Sequence, residues 1–176
     1  MLTLITGGVR CGKSRFAQSL LGPGRALMVA TAEARDTEMA ARIAVHRAAR
    51  PASWVTREAP LEVCAALEGW EGSALLDCLT LWVSNLIEAG FSDQETLSRV
   101  ERLALLGRRC RLVVVSNEVG WGVVPASPLA RRYRDLLGLA NQHLAAQAEQ
   151  VYLMAAGLAL PLKPTPRRRD LERRRL

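Results

Sequence analysis

The sequence predicts an α/β fold: a single P-loop NTPase domain whose mostly parallel sheet carries helices on both faces. Three observations predict it. The chain has 176 residues, 49% of them hydrophobic, which is enough for one well-buried core and short for two. Apolar runs ending in turn or polar residues alternate with segments of helical character, the pattern of parallel strands joined by crossover helices. The stretch Gly7 to Ser14, GGVRCGKS, fits G-x-x-x-x-G-K-[ST] completely, and it lies between an apolar run and a helix-like segment, the setting that a Walker A loop requires.

Leu2 to Thr6 reads as the first strand and Lys13 to Leu21 as the first helix, with the glycine-rich loop between them. Ala26 to Thr31 is the second strand. Asp36 to Ala49 reads as a helix, because Asp36 is a good N-cap and Pro51 bars continuation. Further helices are expected over Leu61 to Glu68, Leu79 to Glu88, Glu95 to Gly107 and Leu129 to Gln150, and further strands over Ala74 to Asp77, Leu112 to Asn117 and Val151 to Ala156. From Pro161 the composition turns to Pro and Arg, which reads as a mobile end. The expected boundaries are therefore a domain over 1–163 and a basic tail over 164–176. Ligands of such sheets bind beyond the carboxyl ends of the strands, so the residues that end each run are candidates for the site.

The formal charge of +7 resides largely in the last ten residues, which set six arginines against Asp170 and Glu172. Only two Phe and two Tyr occur, and no stretch interleaves aromatic with basic residues, which argues against a nucleic-acid partner. No apolar run reaches the length of a membrane span, and no leader pattern precedes the first strand. A soluble, cytoplasmic protein without membrane insertion is expected. Cys11, Cys64, Cys78 and Cys110 are too far apart for a C-x-x-C metal site and are expected to be free thiols. Cys11 stands inside the loop, near Lys13 and a helix N-terminus, where alkylation should block a nucleotide.

The loop glycines let backbone amides wrap phosphate oxygens, and the helix N-terminus adds partial positive charge. Lys13 is the candidate cation for the β- and γ-phosphates, and the Ser14 hydroxyl a candidate ligand of Mg²⁺. Asp77, ending the run Ala74-Leu75-Leu76, is the second candidate Mg²⁺ ligand, as in a Walker B strand. Met39, Ile43 and His46 fall at i, i+4 and i+7, so the histidine shares a helix face with two apolar residues. From spacing alone two roles stand open for His46: capping the last carbonyls of its helix, or nucleophilic chemistry. Glu118, just after a strand, is a second-rank candidate to assist the metal or to deprotonate the attacking hydroxyl as a general base, with a structural turn as the alternative.

Four blocks together, GGVRCGKS, DTEMAARIAVHRAARPASW, ALLDCLTLWVSNL and SNEVGWGVVPASPLARRYRDLLGLANQHLAAQAEQVYLM, resemble the bifunctional adenosylcobinamide kinase / adenosylcobinamide-phosphate guanylyltransferase family of cobalamin biosynthesis. The resemblance covers most of the chain and leaves out the region around Ala89 to Arg111 and the tail after Lys163. It implies that a nucleoside triphosphate, ATP or GTP, phosphorylates the aminopropanol hydroxyl of adenosylcobinamide. GMP is then transferred from GTP to that phosphate through a guanylylated histidine, whose position His46 matches. By the same resemblance Gly7, Gly8, Val9, Arg10, Cys11, Gly12, Lys13, Ser14, Ala30, Thr31, Ala32, Arg47, Ala48, Ala49, Arg50, Glu58 and Asp77 match nucleotide-binding positions, the partner is a corrinoid, and the assembly is a homotrimer.

The residue types suit those roles: Arg47 and Arg50 can neutralise phosphate, and Glu58 can accept hydrogen bonds from a guanine edge or a ribose. From the residues alone, a solvated helix end and a surface carboxylate remain open for them. Cys11 stands where the family commonly has serine, and Asp77 where it often has glutamate. The other readings of the chain are a P-loop kinase of a different small alcohol, with His46 structural, and a non-catalytic nucleotide-binding module.

Overall fold

A computed structural model describes residues 1–48 and 50–163; Ala49 and residues 164–176, including the expected tail, lie outside the described residues, as do the side chains of Arg42 and His46. The chain runs through β1 (Leu2–Gly7), α1 (Lys13–Leu21), β2 (Ala26–Ala30), α2 (Thr37–Ala48), β3 (Val55–Glu58), α3 (Val63–Leu67) and β4 (Ser73–Asp77). It continues through α4 (Leu79–Glu88), α5 (Asp93–Leu106), β5 (Arg111–Val115), α6 (Pro128–Gln147), β6 (Gln150–Ala155) and β7 (Leu158–Pro161). The strands form one sheet in the order β3-β2-β4-β5-β1-β6-β7. All neighbours pair in parallel except β6 and β7.

The sheet is covered on both faces, and the apolar runs show why. Successive side chains of a strand point to opposite faces, so Leu2 and Leu4 of β1 join one buried cluster and Ile5 joins another. The larger cluster gathers Leu27, Val29, Leu76 and Val114 with side chains of α3 to α6, including Trp82, Leu103 and Leu137. The smaller one packs Met28, Leu75, Val113 and Val115 against Ala17 and Leu21 of α1 and against Trp54. Strands buried on both faces read as continuous apolar runs, which is why β1, β2, β4, β5 and β6 were legible.

Two strands depart from the sequence expectation. β3, VTRE, is exposed at every position on the sheet edge and so has no apolar signature. β7 follows β6 through a two-residue turn, Ala156 and Gly157, with φ of 49° and 83°. Positive φ at both central positions is the geometry of the tightest hairpins. The sheet therefore extends to Pro161, up to the point where the composition turns to Pro and Arg. The long helix α6 ends at Gln147 rather than Gln150, because Gln150 pairs with Thr3 in the sheet.

The helix α2 differs from the others. None of its described residues is fully buried, and only Met39 and Ile43 are half-buried. A helix of this length without core packing draws little support from tertiary structure. Among the described residues no helix is long and apolar enough to cross a membrane.

Candidate active site

The site begins where β1 hands over to α1. Gly7 has φ of 141°, and a Cβ there would lie 2.4 Å from the Met154 carbonyl oxygen on the neighbouring strand. Only glycine fits that approach. Gly12 caps α1 with φ of 98°, a left-handed turn that glycine adopts without strain. Lys13, the first residue of α1, is buried. Its ammonium donates to the carbonyl oxygens of Gly7 at 3.1 Å and Gly8 at 2.5 Å and lies 3.7 Å from Cys11 Sγ. The full charge and the helix N-terminus thus sit together, a combination suited to phosphate.

This loop forms one wall of a cleft of about 430 Å³ beyond the carboxyl ends of the strands. Of the residues the sequence singled out, Val9, Arg10, Cys11, Gly12, Lys13, Ser14, Ala30, Ala32, Arg47, Arg50, Glu58 and Asp77 line it together. They come from the β1–α1 loop, α1, β2, α2, β3, β4 and the loops after β2 and α2, and the order β3-β2-β4 is what brings Glu58, Ala30 and Asp77 side by side; Ala30 pairs with both Glu58 and Asp77. His46 lies in α2 between Ile43 and Arg47, which both line the cleft; its side chain and Ala49 are outside the described residues.

Other candidates stand elsewhere. Ala48 is exposed and does not line the cleft. Gly7 and Gly8 support it from behind, through their carbonyls to Lys13. Thr31 is fully buried, and its polar groups are used internally. Its hydroxyl donates to the Cys78 carbonyl at 2.8 Å and accepts from the Cys78 N–H at 2.9 Å, while its own carbonyl accepts from Asn85 Nδ2 at 2.8 Å. Thr31 is a clasp joining β2 to the end of β4. Thr31→Val should therefore leave the Cys78 N–H without a partner and cost about 1–3 kcal/mol of stability, read as a lower urea midpoint. An unchanged midpoint with lost nucleotide affinity would make Thr31 a ligand contact instead. Glu118 is likewise engaged: its Oε1 accepts from the Thr6 hydroxyl at 2.6 Å and from Asn141 Nδ2 at 3.2 Å, and its N–H donates to the Gly7 carbonyl at 3.2 Å.

The charges around the cleft are arranged in depth. Arg47 forms an ion pair with Glu58. Burial pushes the Arg50 guanidinium below its usual range, and the charge of Asp77 opposes that shift. Arg50 donates through Nη1 to Thr56 Oγ1 at 3.1 Å, while its Nε is buried without a partner. The sequence reading missed Arg15, Cys78, Thr80, Leu81 and Val115 as lining residues. Asn117 also lines the cleft; its N–H and Nδ2 donate to Thr80 Oγ1 at 3.0 and 3.1 Å, tying the end of β5 to the start of α4. Its signal was its position at the end of an apolar run.

Burial pushes the Cys64 and Cys78 thiols up to about 11 and raises that of Cys110. Thiolate is scarce at all three near neutral pH. Cys11 lines the cleft beside Lys13, so iodoacetamide at pH 8 should modify Cys11 at least about tenfold faster than Cys78, and GTP should protect it. Peptide mapping that found Cys78 modified first would contradict this.

For a metal, no group of three or more His, Cys, Asp or Glu occurs among the described residues. Mg²⁺ does not need one, since it keeps waters and substrate phosphates and takes one or two protein ligands. Ser14 and Asp77 line the same cleft, and the hard oxygen donors of that pair fit Mg²⁺.

Comparison with known proteins gives the family of the chain. The family model described as cobinamide kinase / cobinamide phosphate guanyltransferase matches residues 3–162. The bifunctional adenosylcobalamin biosynthesis protein CobP of Pseudomonas aeruginosa is 46% identical over 172 residues, covering 94% of this chain and 99% of the relative. The bifunctional adenosylcobalamin biosynthesis proteins CobU of Salmonella typhimurium and Escherichia coli are each 38% identical over 181 residues, covering 93% of this chain and 100% of theirs. With the match running through every strand and helix of the fold, the chain belongs to the cobinamide kinase / cobinamide phosphate guanyltransferase family.

Proposed function

We propose that the chain phosphorylates the aminopropanol hydroxyl of adenosylcobinamide with ATP or GTP and then transfers GMP from GTP to the new phosphate through His46, giving adenosylcobinamide-GDP. One observation carries the reading: Ile43 and Arg47, on either side of position 46 in α2, line the same cleft as Lys13. The α- and γ-phosphates of one triphosphate then face two attackers, the histidine and the substrate hydroxyl.

In the kinase step Lys13 and the loop amides hold the β- and γ-phosphates and take up charge as the γ-phosphoryl leaves for the hydroxyl oxygen. In the second reaction a neutral imidazole nitrogen attacks the α-phosphorus, the bond to the bridging oxygen breaks, and pyrophosphate departs. The corrinoid phosphate then attacks the same phosphorus and releases the imidazole. Arg47 and Arg50 balance the charge of the triphosphate at the α2 side. Ser14 and Asp77 would hold Mg²⁺, which supplies charge neutralisation on the phosphate oxygens. The reading includes a cytoplasmic homo-oligomer, trimeric by resemblance.

Incubation with adenosylcobinamide and γ-labelled ATP should label the corrinoid. Subsequent α-labelled GTP should label first the protein and then the corrinoid. Failure of either label to reach the corrinoid rejects the proposal.

A further inference from the structure

The segment that follows β5 leaves the cleft wall and exposes an unusual amount of apolar surface. Val119, Trp121, Val123, Val124 and Leu129 are all exposed, with Trp121 at 72% and Val123 at 96%. From Val119 to Ala130 no residue carries a charge. The segment has little regular structure before α6 begins, yet it is anchored at both ends. At the cleft end the Glu118 N–H donates to the Gly7 carbonyl and Asn117 is held by Thr80; at the other, Arg131 Nη1 donates to the carbonyls of Pro125 and Ala126 at 2.9 and 2.6 Å. Exposed apolar side chains gathered in one uncharged segment point to a binding surface.

Size and continuity select the occupant. A cleft of about 430 Å³ is in the range that one nucleotide-sized ligand fills. The acceptor of the proposed reaction is a corrinoid, far larger than a nucleotide, of which only the aminopropanol hydroxyl must reach the phosphates. The macrocycle must then rest outside the cleft on surface continuous with it. Asn117 lines the cleft, and Val119 stands two residues on. Val9, at the tip of the glycine-rich loop, is also exposed and lines the cleft. A corrin ring is a broad, gently puckered macrocycle that carries methyl groups and neutral amide arms, and an indole face with short aliphatic side chains and no charge matches it.

We infer that the Val119–Leu129 segment is the docking surface for the corrin macrocycle, with Trp121 as its aromatic anchor. The inference rests on the proposed corrinoid kinase and guanylyltransferase reading and adds to it the residues that select the acceptor. Trp121→Ala should raise the KM for adenosylcobinamide by about tenfold or more, the worth of an aromatic side chain's burial, with kcat changed far less. Formation of the GMP adduct from GTP alone needs no corrinoid and should keep its wild-type rate. Trp121→Phe, which retains an aromatic face, should restore most of the KM. Added dicyanocobinamide should quench a fluorescence component that the Trp121→Phe variant lacks, since Trp54 and Trp82 are buried and Trp70 half-buried.

Normal corrinoid turnover by the wild type with an unchanged KM in Trp121→Ala would overturn the inference and leave the proposed function standing. Loss of the native oligomer in Trp121→Ala, read by sedimentation, would overturn it by making the surface an interface between copies of the chain. Wild-type protein that neither binds dicyanocobinamide nor turns over adenosylcobinamide would overturn both.

Discussion

Replacing His46 by alanine should abolish guanylyl transfer, a loss of at least about a thousandfold as for removal of a covalent nucleophile. Phosphorylation of adenosylcobinamide should stay within a few-fold of the wild-type rate. The separation follows from where the parts lie. Lys13, Ser14 and Asp77 come from α1 and the end of β4, while position 46 belongs to α2. Neither buried cluster contains an α2 residue among those described, so the substitution leaves the core that positions the loop intact. His46→Asn keeps a polar side chain without a comparable nucleophile and controls for effects of truncation. If the kinase rate falls equally in both folded variants, His46 positions the nucleotide for both steps, and the division of labour is wrong.

Lys13→Ala should instead impair both reactions, each by on the order of a hundredfold or more, the usual cost of removing one preorganised donor from developing charge. In the proposed scheme both use a triphosphate held by the same loop. Arg10, Arg15, Arg47 and Arg50 also line the cleft, and they account for the residual rate. Because Lys13 is buried and binds the carbonyls of Gly7 and Gly8, the fold must be checked in parallel. Lys13→Met preserves bulk and should be as inactive as Lys13→Ala. Wild-type guanylyl transfer in either variant would remove the loop from that reaction.

How far the sequence reached depended on how local each signal was. The glycine-rich loop is contiguous and chemically constrained: Gly7 meets the Met154 carbonyl, and Gly12 adopts a left-handed cap. The five inner strands announced themselves because burial on both faces demands unbroken apolar runs. β3 could not, being short, exposed and at the edge, and β7 was hidden behind an Ala156-Gly157 turn, since alanine rarely occupies positive φ. The meeting of Ala30, Glu58 and Asp77 depends on strand order, which no local pattern carries. Thr31 illustrates the opposite difficulty. It matches a nucleotide-binding position by the resemblance, and its hydroxyl closes the backbone of Cys78, a partner that no local pattern shows. His46 stood out only through the resemblance, because an i, i+4, i+7 face with Met39 and Ile43 serves packing as readily as catalysis.

The contrast between α2 and the rest of the fold bears on dynamics. Core strands and well-packed helices open only with global unfolding, whereas elements with few buried contacts sample open states at low cost. With no fully buried side chain among those described, α2 belongs to the second class. Hydrogen exchange should show its amides among the fastest of any helix and slowed by GTP; α2 amides as protected as those of α4 would contradict that picture.

The central claim is that a histidine in α2 takes GMP from GTP. Incubation of the protein with GTP and Mg²⁺ alone, denaturation in base, proteolysis and mass spectrometry address it directly. The account predicts a gain of one GMP on the peptide containing His46, stable in base and lost in acid as a phosphoramidate is. A GMP adduct on any other peptide, or corrinoid-dependent transfer of GMP with no protein adduct at all, would contradict it.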